Sequence, residues 1–475
     1  MAQSREARLA KNTLVIALGS FLPRLASFVT LPILTGVLTK EEYGTYDLIT
    51  VLSSLLIPAV TLQIQAAAFR FLVDARGDEG KQRRIVSNVF ALQIPVAIVC
   101  LVVLYAVLGH TGASVVRLWI CVYYFVDALN NASRQIARGL GNNAAYSVNS
   151  LVHAVGSLVL VVIFVYGMNL GLLGATLALL LSTALSLLYL VIRLQIIKLI
   201  SPGSIDAALL REMLAYSWPL VPNELSNWVI RMSDRLIVTA FLGVAANAVY
   251  SVANKIPQII NIAQGAFTLS WQESASIASS DEDATEYYSH MFKTMYALQG
   301  GIMGIVVACA PVLFKVLVAG DYDEAYQQLP ILCLAIFYAS MATFLGGIYV
   351  GLKQSKSVGV TTTVAAIINV VLDLALIQFC GIYAASISTL VAYVLLLEYR
   401  RRDITKHVAM NYDYKHMLLV NALAIFECAL AMLQLTYVNI ANFVLASVAF
   451  VMLNKETLVR GAAVVRNKLL SKMDK

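Results

Sequence analysis

The chain has 475 residues, 60% of them hydrophobic and only 13% charged, with a mean hydropathy of +0.78, where a soluble chain would be roughly a quarter charged. That composition belongs to a protein solvated by lipid, and it excludes a soluble enzyme, a disordered scaffold and a secreted disulfide framework. The net charge of +7 does not mark a nucleic-acid partner. Most Lys and Arg fall in alternate short loops and at the two termini, as membrane topology requires, and not along one groove.

Apolar runs of about 20 residues, long enough to cross a bilayer as helices, recur along the whole chain. They predict an all-α polytopic membrane protein with about fourteen transmembrane helices. The spans are 12–38, 44–72, 85–109, 115–138, 146–167, 170–198, 213–242, 247–273, 290–319, 327–351, 358–380, 382–399, 416–436 and 438–454. Runs of this length exclude a β-barrel, whose strands would alternate over about ten residues. Arg5, Arg8 and Lys11 precede the first span, which carries Arg24 about midway, directly after Pro23. The second span holds a polar row, Asp47, Thr50, Ser54, Thr61 and Gln65, and ends at Arg70. Arg76, Lys81, Arg83 and Arg84 follow in the next loop, and Asp127, Asn130, Asn131 and Arg134 mark the fourth span.

The seventh span is the most polar. Asn223, Glu224, Asn227, Arg231, Asp234 and Arg235 recur at helical spacing and form one stripe, which is expected to line a cavity. The eighth adds Asn254, Lys255, Gln258, Asn261 and Gln264, and the eleventh holds Asp373. Arg400, Arg401 and Arg402 and the basic tail from Lys455 fall on the same side as the N-terminal cations, so both termini are expected in the cytoplasm. The first span lacks a cleavage signal and is expected to stay as a helix. Six cysteines sit in apolar runs without metal-ligand spacing and read as core residues.

The chain also resembles itself. A shift of 204 places Leu34, Thr35 and Leu38 on Val238, Thr239 and Leu242, and Tyr46 on Tyr250. Each repeat would hold six helices in one orientation, as in transporters built from two parallel halves. The expected organisation is an N-terminal six-helix lobe over 1–200, a cytoplasmic linker over 201–212, a second six-helix lobe over 213–403, and two further helices with a basic tail over 404–475.

Each ionisable group at membrane depth costs roughly 2.5–3.5 kcal/mol on insertion scales, so such groups face protein or water and mark function. Arg24, Arg231, Arg235 and Lys255 exceed the acids available at matching depth. Guanidinium forks suit phosphate oxygens, which makes these four the candidate anion-binding residues. The alternative is pairing with Asp47, Glu224, Asp234 or Asp373. Asp47, Arg70, Asp127, Glu224, Asp234 and Asp373 are the candidates for gating or ion coupling. No Walker loop, HExxH, nucleophile elbow or dinucleotide turn occurs, so neither catalytic residues nor metal ligands nor a cofactor is expected. Movement would draw on an ion gradient, the membrane potential or a downhill lipid gradient. A membrane-embedded sugar polymerase or ligase would need a large extracytoplasmic loop, and no loop here exceeds about 20 residues on this span count.

The first hairpin, Leu31 through Tyr46 with Arg70 after it, and the segment Ser233 through Gly243 leading to Tyr250 and Ser251 resemble the polysaccharide (Wzx-like) flippases of the multidrug, oligosaccharidyl-lipid and polysaccharide exporter superfamily. The similarity covers nearly the whole chain. One departure is Ala248, where the family usually has a glycine before the second-lobe tyrosine. The resemblance implies two six-helix lobes, two appended helices and a cationic cavity for the diphosphate of a polyprenyl-linked oligosaccharide. In it Arg24 and Arg231 would grip the diphosphate from opposite lobes, and Arg235 and Lys255 would extend the positive field. The implied partners are that lipid, membrane lipids and other polysaccharide-assembly proteins, and the implied location is the plasma or inner membrane. Two alternatives stand beside it: a cation-coupled drug antiporter of the same superfamily, and a flippase for a lipid-linked peptidoglycan precursor.

Overall fold

The structure is a computed structural model and describes residues 26–107, 114–279, 281–352 and 354–459. Arg24, the first part of the first predicted span and the tail beyond residue 459 lie outside them. The described residues are helical and contain no strand. In chain order the helices are α1 (Ala26–Val37), α2 (Lys40–Val60), α3 (Ile64–Asp74), α4 (Glu79–Val107), α5 (Ser114–Gly139), α6 (Asn143–Val161, continued as a π-helical turn), α7 (Gly171–Arg193), α8 (Ile196–Leu199) and α9 (Ala207–Ser217). The second half comprises α10 (Leu220–Leu242), α11 (Val244–Ala253), α12 (Gln258–Ala278), α13 (Ala284–Leu317), α14 (Asp323–Gly351), α15 (Ser355–Cys380), α16 (Tyr383–Ile404), α17 (Tyr414–Met432) and α18 (Thr436–Leu453). Nine helices among the described residues are long and apolar enough to cross a membrane. Several predicted spans are broken into shorter helices, so length and apolarity alone do not reach fourteen.

Contacts group these helices into two compact units, one running to Ser233 and including Leu317–Gly320, the other comprising Asp234–Val316 and Asp321 onward. In the first unit, α2 starts with a reciprocal cap. Glu42 N donates to Thr39 Oγ1 at 3.2 Å, while Thr39 N donates to Glu42 Oε2 at 3.0 Å, satisfying two donors that a helix start leaves free. The predicted span 44–72 then breaks because Leu62 and Gln63 take φ of 49° and 56°. The left-handed conformation costs about 1 kcal/mol or more per non-glycine residue and forces a new helix to begin at Ile64.

The far end of α5 is held against α3 by close approach. A Cβ at Gly139 would lie 2.7 Å from Leu72 Cβ, so only glycine lets the two backbones meet there. Arg76 closes this end, donating from Nε to Gly139 O at 2.8 Å and from Nη2 to Arg138 O at 3.0 Å. A guanidinium on the last carbonyls satisfies acceptors and complements the negative helix terminus. Leu72, Val86, Val89, Ile136 and Met213 form the buried core beneath. Asn149 Nδ2 ties α5 to α7 by donating to Asn130 Oδ1 at 3.1 Å and Ser186 O at 2.7 Å, the polar bonding that joins helices in lipid.

In the second unit α14 is central and packs against α11, α12, α15, α16 and α17. Trp271 stacks on Phe344 with centroids 4.2 Å apart and donates Nε1 to Phe344 O at 2.8 Å. The appended helices α17 and α18 dock on a small-residue face of α13. A Cβ at Gly300 would stand 2.5 Å from Val420, and one at Gly301 2.6 Å from Phe450. Close backbone approach of this kind drives packing where lipid removes the hydrophobic incentive.

Candidate functional site

The first unit holds a cavity of about 640 Å³ whose walls come from α2, α3, α5, the end of α9 and the start of α10. That size lies in the range of small-ligand sites. The break at Leu62 and Gln63 builds one wall: Thr61 Oγ1 donates to Gln65 Oε1 at 2.8 Å and Gln65 Nε2 to Gln63 Oε1 at 3.1 Å, so both glutamines are fixed at the rim. Helix α5 builds another. Asp127, Asn131, Arg134, Gln135 and Arg138 all line the cavity, and their spacing puts them on one helical face. At 1.5 Å per residue, Asp127 and Arg138 lie about 16 Å apart along the axis.

The cations of this face are held by neutral groups. Arg134 Nη2 donates to Tyr146 Oη at 3.1 Å and to Ser150 Oγ at 3.4 Å, and the guanidinium lies 4.8 Å from the Tyr146 ring centroid. Its Nε is buried and without a hydrogen-bond partner. Arg138 donates to Gln135 Oε1 at 3.1 Å and rests 4.8 Å from the Phe69 centroid. Neither makes an ion pair with a carboxylate among the described residues. Stacking on aromatic faces orients a guanidinium while leaving its charge available. These two half-buried cations, without an ion pair among the described residues and on a wall that also carries Asp127, are a candidate anion site.

Acids occupy other positions. Asp127 Oδ2 accepts from Ser53 Oγ at 2.5 Å and from Tyr123 Oη at 3.4 Å, while its Oδ1 makes no hydrogen bond within the described protein. Glu224 lines the cavity and makes no ion pair among the described residues. Asp47 is buried on α2.

The remaining expected residues fall on several helices of the two units. Arg231 is exposed on α10, with neither a hydrogen bond nor an ion pair among the described residues. Arg235 is buried and Lys255 half-buried in the second unit. Arg70 ends α3 in an exposed pair with Asp74 at 2.6 Å. On α10, Glu224 lines the cavity of the first unit, and Asp234 is buried within the second.

Asp234 is 6% exposed and fully engaged. Its Oδ2 accepts from Tyr250 Oη and Thr389 Oγ1, both at 2.8 Å. With its amide oriented by this network, Asn369 donates to Oδ1 at 2.9 Å. One helical turn along α15 from Asn369, Asp373 is 0% exposed, and neither of its oxygens has a hydrogen-bond partner. An orphaned carboxyl of this kind is rare in a folded protein and requires an explanation.

Two larger clefts carry less chemistry. One of about 1080 Å³ lies beside the starts of α13 and α17. There Lys293 Nζ meets Asp413 Oδ2 at 2.7 Å, and this bond, with the His416 backbone N–H, holds the Asp413 carboxyl below the usual carboxylate range. Another, of about 750 Å³, contains the Arg70–Asp74 pair. Exposed pairs of this kind contribute little to stability.

The profile of a family described as polysaccharide biosynthesis protein matches residues 9–271, more than half of the chain. No curated protein matches it. Among solved structures the chain is similar to the lipid II flippase MurJ in an inward closed conformation, at 12% identity and a TM-score of 0.69, over 95% of this chain and 100% of that one. It is also similar to an inward-facing multidrug resistance MATE family transporter of the MOP superfamily, at 15% identity and a TM-score of 0.66, over 81% of this chain and 94% of that one. A third is a MOP superfamily transporter from Pyrococcus furiosus with a binding pocket of reverse polarity, at 15% identity and a TM-score of 0.55, over 83% and 95%. Identities this low establish a shared fold and nothing finer.

Proposed function

Because the chain belongs to the family of polysaccharide biosynthesis proteins, we propose that it is a flippase, moving a polyprenyl-diphosphate-linked oligosaccharide from the cytoplasmic to the outer leaflet by alternating access. The observation that carries this reading is the pair Arg134 and Arg138, two cations on a cavity wall whose direct hydrogen-bond and stacking partners are neutral. A diphosphate is the matching ligand. An organic cation would call for a cavity dominated by acids, whereas Arg134 and Arg138 here match Asp127 and Glu224 in number.

In this reading fourteen spans form two six-helix lobes, 1–200 and 213–403, with two helices appended. Both termini and the Gly139 end of α5 face the cytoplasm, in accord with the basic loops. Arg134 and Arg138 receive the diphosphate as it enters from the inner leaflet. Arg24, Arg231, Arg235 and Lys255 provide further positive field for its passage, and the prenyl tail stays in lipid. Each charged head that crosses would otherwise meet a barrier of many kcal/mol.

Energy enters through the acids of the second half. Two carboxyl oxygens of Asp373 without protein donors require a proton or a bound cation to be tolerated in a dry interior. Asn369 lies one turn away on the same helix and is bonded to Asp234 of α10 and Thr389 of α16. The site therefore loads a proton or a monovalent cation, and its occupancy biases the conformational equilibrium.

Binding to the detergent-solubilised protein tests the reading. A short-chain polyprenyl diphosphate should bind with an affinity that falls as salt rises, because the contact is electrostatic, and the Arg134→Ala/Arg138→Ala double variant should lose it. Binding of a lipophilic organic cation in its place, unaffected by the double variant, would overturn the reading in favour of a drug antiporter.

A further inference from the structure

The flippase proposal leaves the sugar open, and the lining of α5 narrows it. Along one face of this helix the chemistry changes in order. Arg138 stands one residue from the helix end, Arg134 one turn inward, Asn131 next, and Asp127 at the middle of the 26-residue helix. A lipid-linked saccharide has its own fixed order of prenyl chain, diphosphate and sugar. With the Gly139 end of α5 toward the cytoplasmic leaflet, the two orders coincide. The diphosphate at Arg134 and Arg138 then sends the first sugar toward Asp127, about 10 Å deeper.

The deep end is built to accept hydrogen bonds. Ser53 Oγ and Tyr123 Oη both donate to Asp127 Oδ2, so these hydroxyls are committed and fix the carboxyl in place. Oδ1 has no protein partner among the described residues, and Asp127 lines the cavity. A sugar hydroxyl, an acetamido N–H or an ammonium supplies the missing donor. A sugar carboxylate supplies only acceptors and a like charge, and rejecting a ligand by an unpaired like charge is an efficient route to specificity.

Resting on the flippase reading, we propose that Asp127 is a specificity-determining residue that admits a neutral or amino first sugar and rejects an acidic one. The cation wall binds every polyprenyl diphosphate, and Asp127 sorts them.

The test uses proteoliposomes of the full chain and two probe lipids, one polyprenyl diphosphate carrying an N-acetylhexosamine and one carrying a hexuronic acid. Wild type should move the first faster by on the order of tenfold or more, since like-charge contacts across an interface cost several kcal/mol. Asp127→Asn should bring the ratio toward one. Both lipids are followed in the same vesicles, so a loss of folded protein cancels from the ratio, and the wild-type preference alone keeps the inference falsifiable if the variant does not fold. Equal movement of both lipids by wild type, or an unchanged ratio in Asp127→Asn, overturns the assignment of Asp127 and leaves the flippase standing. If wild type moves neither lipid, the flippase reading fails and this inference falls with it.

Discussion

Charged residues at membrane depth divide by the partners they find. Arg134 and Arg138 stack on Tyr146 and Phe69 and keep their charge available, whereas Arg400 is buried and bonded throughout. Asp127 and Asp234 are tied by hydroxyls, and Asp373 is not tied at all. That contrast makes Asp373 the residue whose neutralisation is most informative. Asp373→Asn keeps the shape and removes the charge, so transport should continue at a basal rate that an imposed sodium or proton gradient no longer raises. A gradient stimulation equal to that of wild type, measured as initial rates in vesicles, would remove Asp373 from coupling. At this scale the sequence was only partly legible. A cation excess over acids could be counted, and Asp127, Asp234 and Asp373 stood out as intramembrane acids. Arg134 and Arg138 look like ordinary loop-end charges, because the inside-positive bias and a cavity wall place Arg at the same helix position. Only the inward face shared with Asn131 hinted otherwise. Arg24, expected to grip the diphosphate, lies outside the described residues, and Arg231 stands exposed on α10.

Helices here are defined by where hydrogen bonding is interrupted. The span expected over 44–72 is two helices, since Leu62 and Gln63 adopt left-handed conformations that no local motif announces; neither residue is glycine or asparagine. The span expected over 213–242 also divides, between α9 and α10. Hydropathy sees apolar length and is blind to such breaks, yet this break puts Gln63 and Gln65 on the cavity rim. Between helices, Arg400 of α16 is the clearest tie. It donates Nη1 to Ala342 O of α14 at 2.7 Å, Nε to Thr361 Oγ1 at 3.0 Å, and Nη2 to Thr362 Oγ1 at 2.8 Å and Val358 O of α15 at 3.1 Å. Replacing it with alanine strands buried acceptors, each worth about 1–3 kcal/mol. Lysine lacks the planar fork that reaches all four. Both Arg400→Ala and Arg400→Lys should therefore lower the thermal midpoint followed by tryptophan fluorescence in detergent. A lysine variant as stable as wild type would show that the charge alone matters.

The cavity with the cation wall belongs to one compact unit and the orphaned carboxyl to the other, so the proposed function separates recognition from energy. A transporter that couples two such sites must link their occupancies through its conformational equilibrium. The membrane character, the all-helical class and the family could be read from composition, apolar run length and the two hairpin segments, since these depend on local chemistry. The assignment of side chains to cavities depends on helix rotation and on backbone breaks, and these emerge only from packing.

The most direct measurement is transbilayer movement of a polyprenyl-diphosphate oligosaccharide in proteoliposomes, comparing wild type with the Arg134→Ala/Arg138→Ala variant at equal amounts of inserted, folded protein. The account predicts that wild type moves the lipid between leaflets and that the variant loses at least tenfold in rate, about 1.4 kcal/mol in the barrier. Movement by the variant at the wild-type rate would contradict the account, as would a wild type that is inert toward the lipid while exchanging an organic cation for protons or sodium.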